Sequence, residues 1–268
     1  MGASTLKLLV LMYHIVYEDE VEFRSLPDEE KSYAISKKVF EDQLMQISDS
    51  SLLVMNTHDI NLMLTEGKLP KEDACLITID DGHNSMLRTI SPMLTKRDYG
   101  SIFFVSTKFI EKRQNFCSWQ DLKKLSEQGV LVQPHGHTHQ FFDTMTAKVM
   151  DDELVEPKEL IETHILQPVM SMSYPGGRCN TLSMIKAYDH GYTLQFGSDV
   201  GLNLKDSDRC TYRRMAVRAS TSHKEFSKII SFNVLYYFIA VIKQKMKKLL
   251  KLVCGSKGYH HLYCLVKR

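Results

Sequence analysis

Ala74-Cys75-Leu76-Ile77-Thr78-Ile79-Asp80-Asp81-Gly82 is an apolar run that ends in two adjacent carboxylates and a glycine. An unbroken apolar run of this length, bounded by turn residues, reads as a strand buried on both faces, the kind a parallel sheet uses. Two neighbouring carboxylates at its carboxyl end repel each other unless something positive or protonated balances them, and a divalent metal would do so. A surface Asp-Asp-Gly turn accounts for the tripeptide equally well when it is taken alone.

Working outward, similar short runs lie at Leu6–Tyr13, Leu52–Met55, Ser101–Val105, Val130–Gln133, Val169–Ser173 and Thr193–Phe196. Segments of helical period separate them: Lys38–Ile47 places Phe40, Leu44 and Ile47 on one face, and Ser118 followed by Asp121 predicts a capped helix start. No repeat or low-complexity linker divides residues 6–220. This alternation predicts an α/β fold with a mainly parallel sheet. In such folds catalytic groups gather at the carboxyl ends of strands, where loops converge on one crevice. The polar clusters fall there: His14 after the first run, Asp80 and Asp81 after the third, His135 to His139 after Val130–Gln133, and Tyr174-Pro175-Gly176-Gly177-Arg178 after Val169–Ser173.

His135 and His139 stand four residues apart, a spacing that brings two imidazoles to one metal on a helical or tightly turned backbone. Histidine-rich runs also occur incidentally, and His137 between them falls outside the expected ligand set. Joined to Asp80-Asp81, the pair predicts two imidazoles and one carboxylate with positions left for water and substrate, which is the ligand pattern of a catalytic metal site.

On these two motifs the chain resembles the polysaccharide deacetylase family, also called the NodB-homology or carbohydrate esterase family 4 group, over roughly residues 6–220. The resemblance implies a distorted (β/α)7 barrel that removes acetyl groups from N-acetylated sugars, with Asp80 as general base and Asp81, His135 and His139 as metal ligands. His14, in a Tyr-His pair after the first strand, resembles the general-acid histidine of the poly-N-acetylglucosamine deacetylase branch; a histidine capping a buried strand is the plainer alternative. Tyr174, Pro175 and Gly176 resemble the motif that shapes one wall of the substrate groove, although a Pro-Gly turn explains most of it. Arg214 resembles an arginine before the last strand that orients the catalytic aspartate, and a surface arginine is the alternative. Gly136 stands where the family usually has Ser or Thr, and Gln140 where Pro commonly follows, which leaves loop geometry and substrate choice open. Zinc suits the donor set, with cobalt, nickel or manganese as alternatives. Two other readings stay open: a carbohydrate-binding scaffold on the same fold, and a hydrolase of esters or non-sugar C–N bonds.

The composition is that of a folded protein: 268 residues, 43% hydrophobic and 25% charged. Thirty-four basic against thirty-two acidic residues leave a net charge of +2, which excludes bulk electrostatics as a basis for nucleic-acid binding. The six cysteines are scattered and form no Cys-x-x-Cys pair, so neither a zinc finger nor a disulfide framework is predicted. The amino-terminal stretch through His14 reads as a first strand without a signal peptide, and with reduced thiols this predicts a cytoplasmic protein. The chain divides on this reading into a catalytic domain, residues 1–220, and a helical extension, residues 221–268. In that extension Ile229 to Ile242 is apolar and aromatic, and Lys243, Lys245, Lys247, Lys248 and Lys251 follow. The expectation is one terminal helix with a basic end packed on the barrel, or, for residues 229–251, peripheral attachment to the inner face of an anionic membrane.

Overall fold

The structure is a computed structural model that describes residues 6–204 and 211–266, with side chains through residue 250. Residues 1–5, Cys210 and the side chains of Lys251, Cys254 and Cys264 lie outside the described residues. The strands are β1 (Lys7–Tyr13), β2 (Ile15–Tyr17), β3 (Ala34–Ser36), β4 (Leu53–Val54), β5 (Ala74–Ile79), β6 (Ser101–Val105), β7 (Leu131–Pro134), β8 (Ser171–Ser173), β9 (Leu194–Phe196), β10 (Asn203–Leu204) and β11 (Met215–Ala216). β1, β5, β6 and β7 form a parallel backbone for the sheet, with Leu11 opposite Ile77, Ile77 opposite Ser101 and Ile102 opposite Leu131. β11 runs parallel to β1, and β10 pairs antiparallel with its first residues.

Both faces of this sheet are covered, which explains why its strands read as continuous apolar runs. Leu9, Leu11, Tyr13, Cys75, Ile77, Ile79, Phe103 and Val105 join one buried cluster with Phe40 and Leu44 of helix Lys37–Ser48 and Met150 and Leu154 of helix Ala147–Ile165. The alternate residues Leu8, Val10, Leu76, Ile102 and Phe104 join a second cluster with Met55 and with Ile60 and Met63 of helix Thr57–Glu66. The start of helix Trp119–Glu127 is closed by the reciprocal Ser118 and Asp121 hydrogen bonds that the sequence predicts.

No ladder joins β7 to β8 among the described residues; a side chain spans that seam. Gln133 Oε1 accepts from the backbone nitrogens of Met170 and Ser171 at 3.0 and 2.9 Å, and its Nε2 donates to Pro168 O at 3.0 Å. On the far side, among the described residues, β9 reaches β1 through a bridge between Phe196 and Tyr212, which lies shortly before β11. The ring of strands is thus an α/β arrangement with two irregular seams, a distorted version of the expected barrel.

Two features were not legible beforehand. β2 and β3 form a separate parallel pair that carries Tyr33 back over His14. The apolar stretch from Ile229 to Ile242 is two helices, His223–Ile230 and Val234–Val266, bent by 104°. Phe232 adopts a left-handed backbone with φ 53°, Asn233 N returns to Lys228 O, and the Asn233 side chain caps the next helix by accepting from Tyr236 N at 2.9 Å. Phe226, Ile229, Ile230 and Tyr237 are buried in the same cluster as β1.

Candidate active site

Asp80 is the first residue beyond β5, and its backbone nitrogen donates to Tyr13 O at 2.9 Å, extending the pairing with β1 by one step. Its buried carboxylate accepts two parallel bonds from Arg214, Nη1 to Oδ1 and Nη2 to Oδ2, each 2.7 Å. Arg214 is fully enclosed and is fixed in turn by donating from Nε to Gly197 O at 2.7 Å. Burial pushes the Asp80 carboxyl up, and the Arg214 guanidinium, with His135 and His14, more than offsets this, so Asp80 is held below its ordinary 3.8. The pair therefore contributes stability above pH 3.8 and loses it as pH falls through the folded-state value. An Arg214→Met chain should be less stable by about 3–5 kcal/mol at neutral pH, because Asp80 is left buried without a counter-charge. Denaturant unfolding by circular dichroism should show that gap narrowing below pH 3.8; a gap independent of pH would remove the ion pair as its cause.

Asp81 and His139, the outer members of the two motifs, both have left-handed backbones, φ 81° and φ 64°. Non-glycine residues adopt this region at a cost of roughly 1–2 kcal/mol, and such positions concentrate at functional sites. The turns bring Asp81 Oδ1 within 3.2 Å of His139 Nε2 and 3.5 Å of His135 Nε2. Asp81, His135 and His139 offer ligand atoms that all lie within 4.8 Å of one another. His137 turns away, its Nδ1 against Thr107 Oγ1 at 2.9 Å.

His135 Nδ1 lies 2.5 Å from the Ser173 hydroxyl and 2.9 Å from Ser173 O; the carbonyl is an acceptor only, which assigns the proton to Nδ1 and leaves Nε2 a lone pair. Burial drives this imidazole down to about 4, so it is neutral at physiological pH. Its bare Nε2 faces Asp81 Oδ1 and Asp80 Oδ2, the latter at 3.7 Å. Asp81 Oδ1 is itself buried and makes no well-formed hydrogen bond; the nearest nitrogen is His139 Nε2 at 3.2 Å, and against the lowering effect of burial the Asp81 carboxylate holds that imidazole above its ordinary 6.5. The His135 lone pair and the Asp81 carboxylate oxygen converge without a proton between them, and that arrangement fits a bound cation.

Glu153 is a contributor that sequence reasoning missed. Buried on helix Ala147–Ile165, its carboxylate accepts from His137 N at 2.7 Å, from Thr138 N at 3.0 Å and from the Thr138 hydroxyl, and so templates the loop between the two candidate ligands. Gly136, at φ 68°, explains the absence of Ser or Thr there: an added Cβ would lie 3.0 Å from Glu153 Oε2. The available signal was a glutamate on the apolar stripe Met150, Leu154, Pro157 and Ile161. Glu153→Gln should lower metal affinity by about 10–100-fold, the usual effect of losing a partner that orients ligands. Turnover at saturating metal should change less, and metal titration alongside kinetics separates the two.

His14 follows β1 beside Asp80, its ring tilted against Tyr33 at 4.4 Å between centroids. Its Nδ1 is buried without a partner among the described residues. Burial lowers the imidazole below its ordinary 6.5, against the opposing pull of Asp81 and Asp80. Tyr174 differs from its expected role: the side chain is buried, its hydroxyl donates to Gln195 Oε1 at 2.6 Å, and it has no face for a sugar. Pro175 is buried as well, and Gly176 at φ 61° lies under the Phe141 ring, so this segment shapes its surroundings through backbone and packing. Tyr33 beside His14 and Phe109 beside His139 instead frame the site, and neither had a sequence signal.

The model of the polysaccharide deacetylase family matches residues 67–195, a span that contains both motifs. Residues 67–195 are a polysaccharide deacetylase domain. The chain is 25% identical over 224 residues to the Bacillus subtilis (strain 168) protein YxkH, which carries a putative polysaccharide deacetylase name, covering 84% of this chain and 76% of that one. Its fold is shared with the Streptococcus pyogenes deacetylase PplD in complex with acetate, at a TM-score of 0.72 and 19% identity over 85% of this chain and 99% of that one. IcaB from Ammonifex degensii superposes with a TM-score of 0.69 and 20% identity over 84% and 96% of the two chains. In the deacetylase domain Asp80 and Asp81 end β5, while His135 and His139 follow β7; Arg214 and His14 reach the site from outside the matched span.

Proposed function

We propose that this deacetylase domain is a metal-dependent hydrolase that removes N-acetyl groups from an amino-sugar glycan or a lipid-linked saccharide, and that it stands nearest in chemistry to the poly-N-acetylglucosamine deacetylases. The observation that carries the reading is the buried Asp81 Oδ1 facing both His139 Nε2 and the unprotonated Nε2 of His135, beside an Asp80 held ionised by Arg214. Asp81, His135 and His139 would hold the ion, and two imidazoles with one carboxylate favour zinc. When bound, such an ion polarises the acetyl carbonyl and lowers the pKa of water toward ~7.

The chain's own groups supply the rest. Asp80 accepts the proton of the attacking water, and the Arg214 fork keeps its carboxylate aimed while leaving lone pairs for that proton. His14, with an unpartnered ring nitrogen, gives a proton to the departing sugar amine. Water adds to the amide and the C–N bond breaks, so the products are acetate and a free amine. The fold shared with a de-N-acetylase from Aggregatibacter actinomycetemcomitans and with PplD in complex with acetate supports an acetyl substrate.

Acetate release from short N-acetylglucosamine oligomers, compared with O-acetylated sugars, tests the proposal. The expected result is release from the amides that stops on chelation and returns with added zinc. Release from esters alone would replace the proposal with an esterase, and binding of the oligomers without release would leave a carbohydrate-binding scaffold.

A further inference from the structure

Helix Val234–Val266 is held to the domain by one face. Tyr237 is buried and donates from its hydroxyl to Ile229 O at 3.0 Å. Two and three turns further on, Gln244 Nε2 donates to Ser198 O at 3.0 Å while its Oε1 accepts from Val200 N at 2.9 Å, and Lys248 pairs with Asp199. These anchors fix the rotation of the helix about its axis.

The opposite face is therefore defined, and it is apolar. Leu235, Phe238, Ile239, Ile242, Met246 and Leu249 recur at three- and four-residue spacing, and all are exposed; Leu235 is 66%, Phe238 62% and Met246 58% accessible. A contiguous apolar stripe on the outside of a folded domain marks a docking surface. At 3.6 residues per turn, Lys243 and Lys245 project from the two borders of this stripe. Both are exposed, and neither has an ion-pair partner among the described residues. Residues 234–250 contain no Asp or Glu.

We propose that this stripe docks the protein, helix in plane, on an anionic lipid bilayer, with Lys243 and Lys245 at the phosphate level. The charge pattern decides between a lipid surface and a second copy of the chain: a two-fold contact between identical stripes would bring lysine borders together with no carboxylate to balance them, whereas anionic headgroups complement them. No single described helix is long and apolar enough to cross a membrane; His223–Ile230 and Val234–Leu250 reach that length and composition only together, across a 104° bend. The helix starts near Lys7 of β1, whose Nζ lies over the Phe232 ring at 5.2 Å, and climbs to the loop after β9. In that loop Asp199 O accepts from Arg214 N at 3.1 Å, so the docking face reaches the end of the domain that bears the candidate site.

The full chain should cosediment with vesicles of equal parts phosphatidylglycerol and phosphatidylcholine, and far less with pure phosphatidylcholine. Phe238→Ser combined with Ile242→Ser should abolish the association. Lys243→Gln and Lys245→Gln should weaken it by about fivefold each at low salt. These side chains are exposed and outside the candidate site, so melting temperature and acetate release from soluble oligomers should stay unchanged. A folded chain that ignores the anionic vesicles overturns the proposal. So does binding that the lysine changes leave intact, or a wild-type dimer in sedimentation velocity that the Phe238/Ile242 variant converts to monomer.

Discussion

Asp80→Asn is expected to lower acetate release by about 10²–10⁴-fold, the range associated with loss of a positioned general base, while bound metal remains near one ion per chain. The separation follows from geometry: Asp81, His135 and His139 make up the candidate ligand cluster, and Asp80 instead spends both oxygens on Arg214. An amide at position 80 keeps one acceptor for the guanidinium but sets an NH₂ against the other nitrogen, and it leaves a buried positive charge unbalanced. A stability loss of about 3 kcal/mol should accompany the kinetic effect. Kinetics should therefore be read well below the melting transition, with metal content measured on the same sample. Turnover near that of the unaltered protein in a folded, metal-loaded Asp80→Asn chain would remove Asp80 from the chemistry.

His135→Ala should act in the opposite order. Its Nε2 is the buried ligand atom facing Asp81 Oδ1, and the ring is locked by its Nδ1 bond to Ser173 O. Deleting the ring removes one of three ligands and leaves that carbonyl without its partner. Metal retained after dialysis should fall to the level of chelated protein, and turnover should fall with it. Adding millimolar zinc should restore turnover only in part. Ser173→Ala keeps the carbonyl and the ligand, so it should shift metal affinity by a smaller factor, within about 10–100-fold. Full metal occupancy in dialysed His135→Ala protein would mean that the ion is held elsewhere.

Sequence alone determined where the strands of the parallel sheet lie and what their ends carry. The observed bounds of β5 and β6 coincide with the apolar runs Ala74–Ile79 and Ser101–Val105, because burial on both faces demands uninterrupted apolar residues and such a demand is written locally. The same holds for the Ser118–Asp121 cap, a bond between residues three apart. The carboxylates and histidines could be placed at strand ends, and so near one another, since strand-end loops of a parallel sheet converge.

Tertiary structure decided everything that depends on partners distant in the chain. Asp80 and Arg214 are separated by 134 residues, and nothing in either neighbourhood fixes the two-pronged bond between them. The tautomer of His135 is set by a carbonyl 38 residues away, and the loop that carries His139 by Glu153 on a helix. Tyr174 turned into the core because Gln195 waited there, and Tyr33 reached His14 through a strand pair with no strong apolar signature. The apolar stretch after Ile229 likewise read as one helix until the left-handed Phe232 and the Asn233 cap divided it, leaving one face anchored and the other exposed. Periodicity records which residues are buried. Which partner meets each buried polar group is a property of the folded chain, since a long-range hydrogen bond leaves no local pattern.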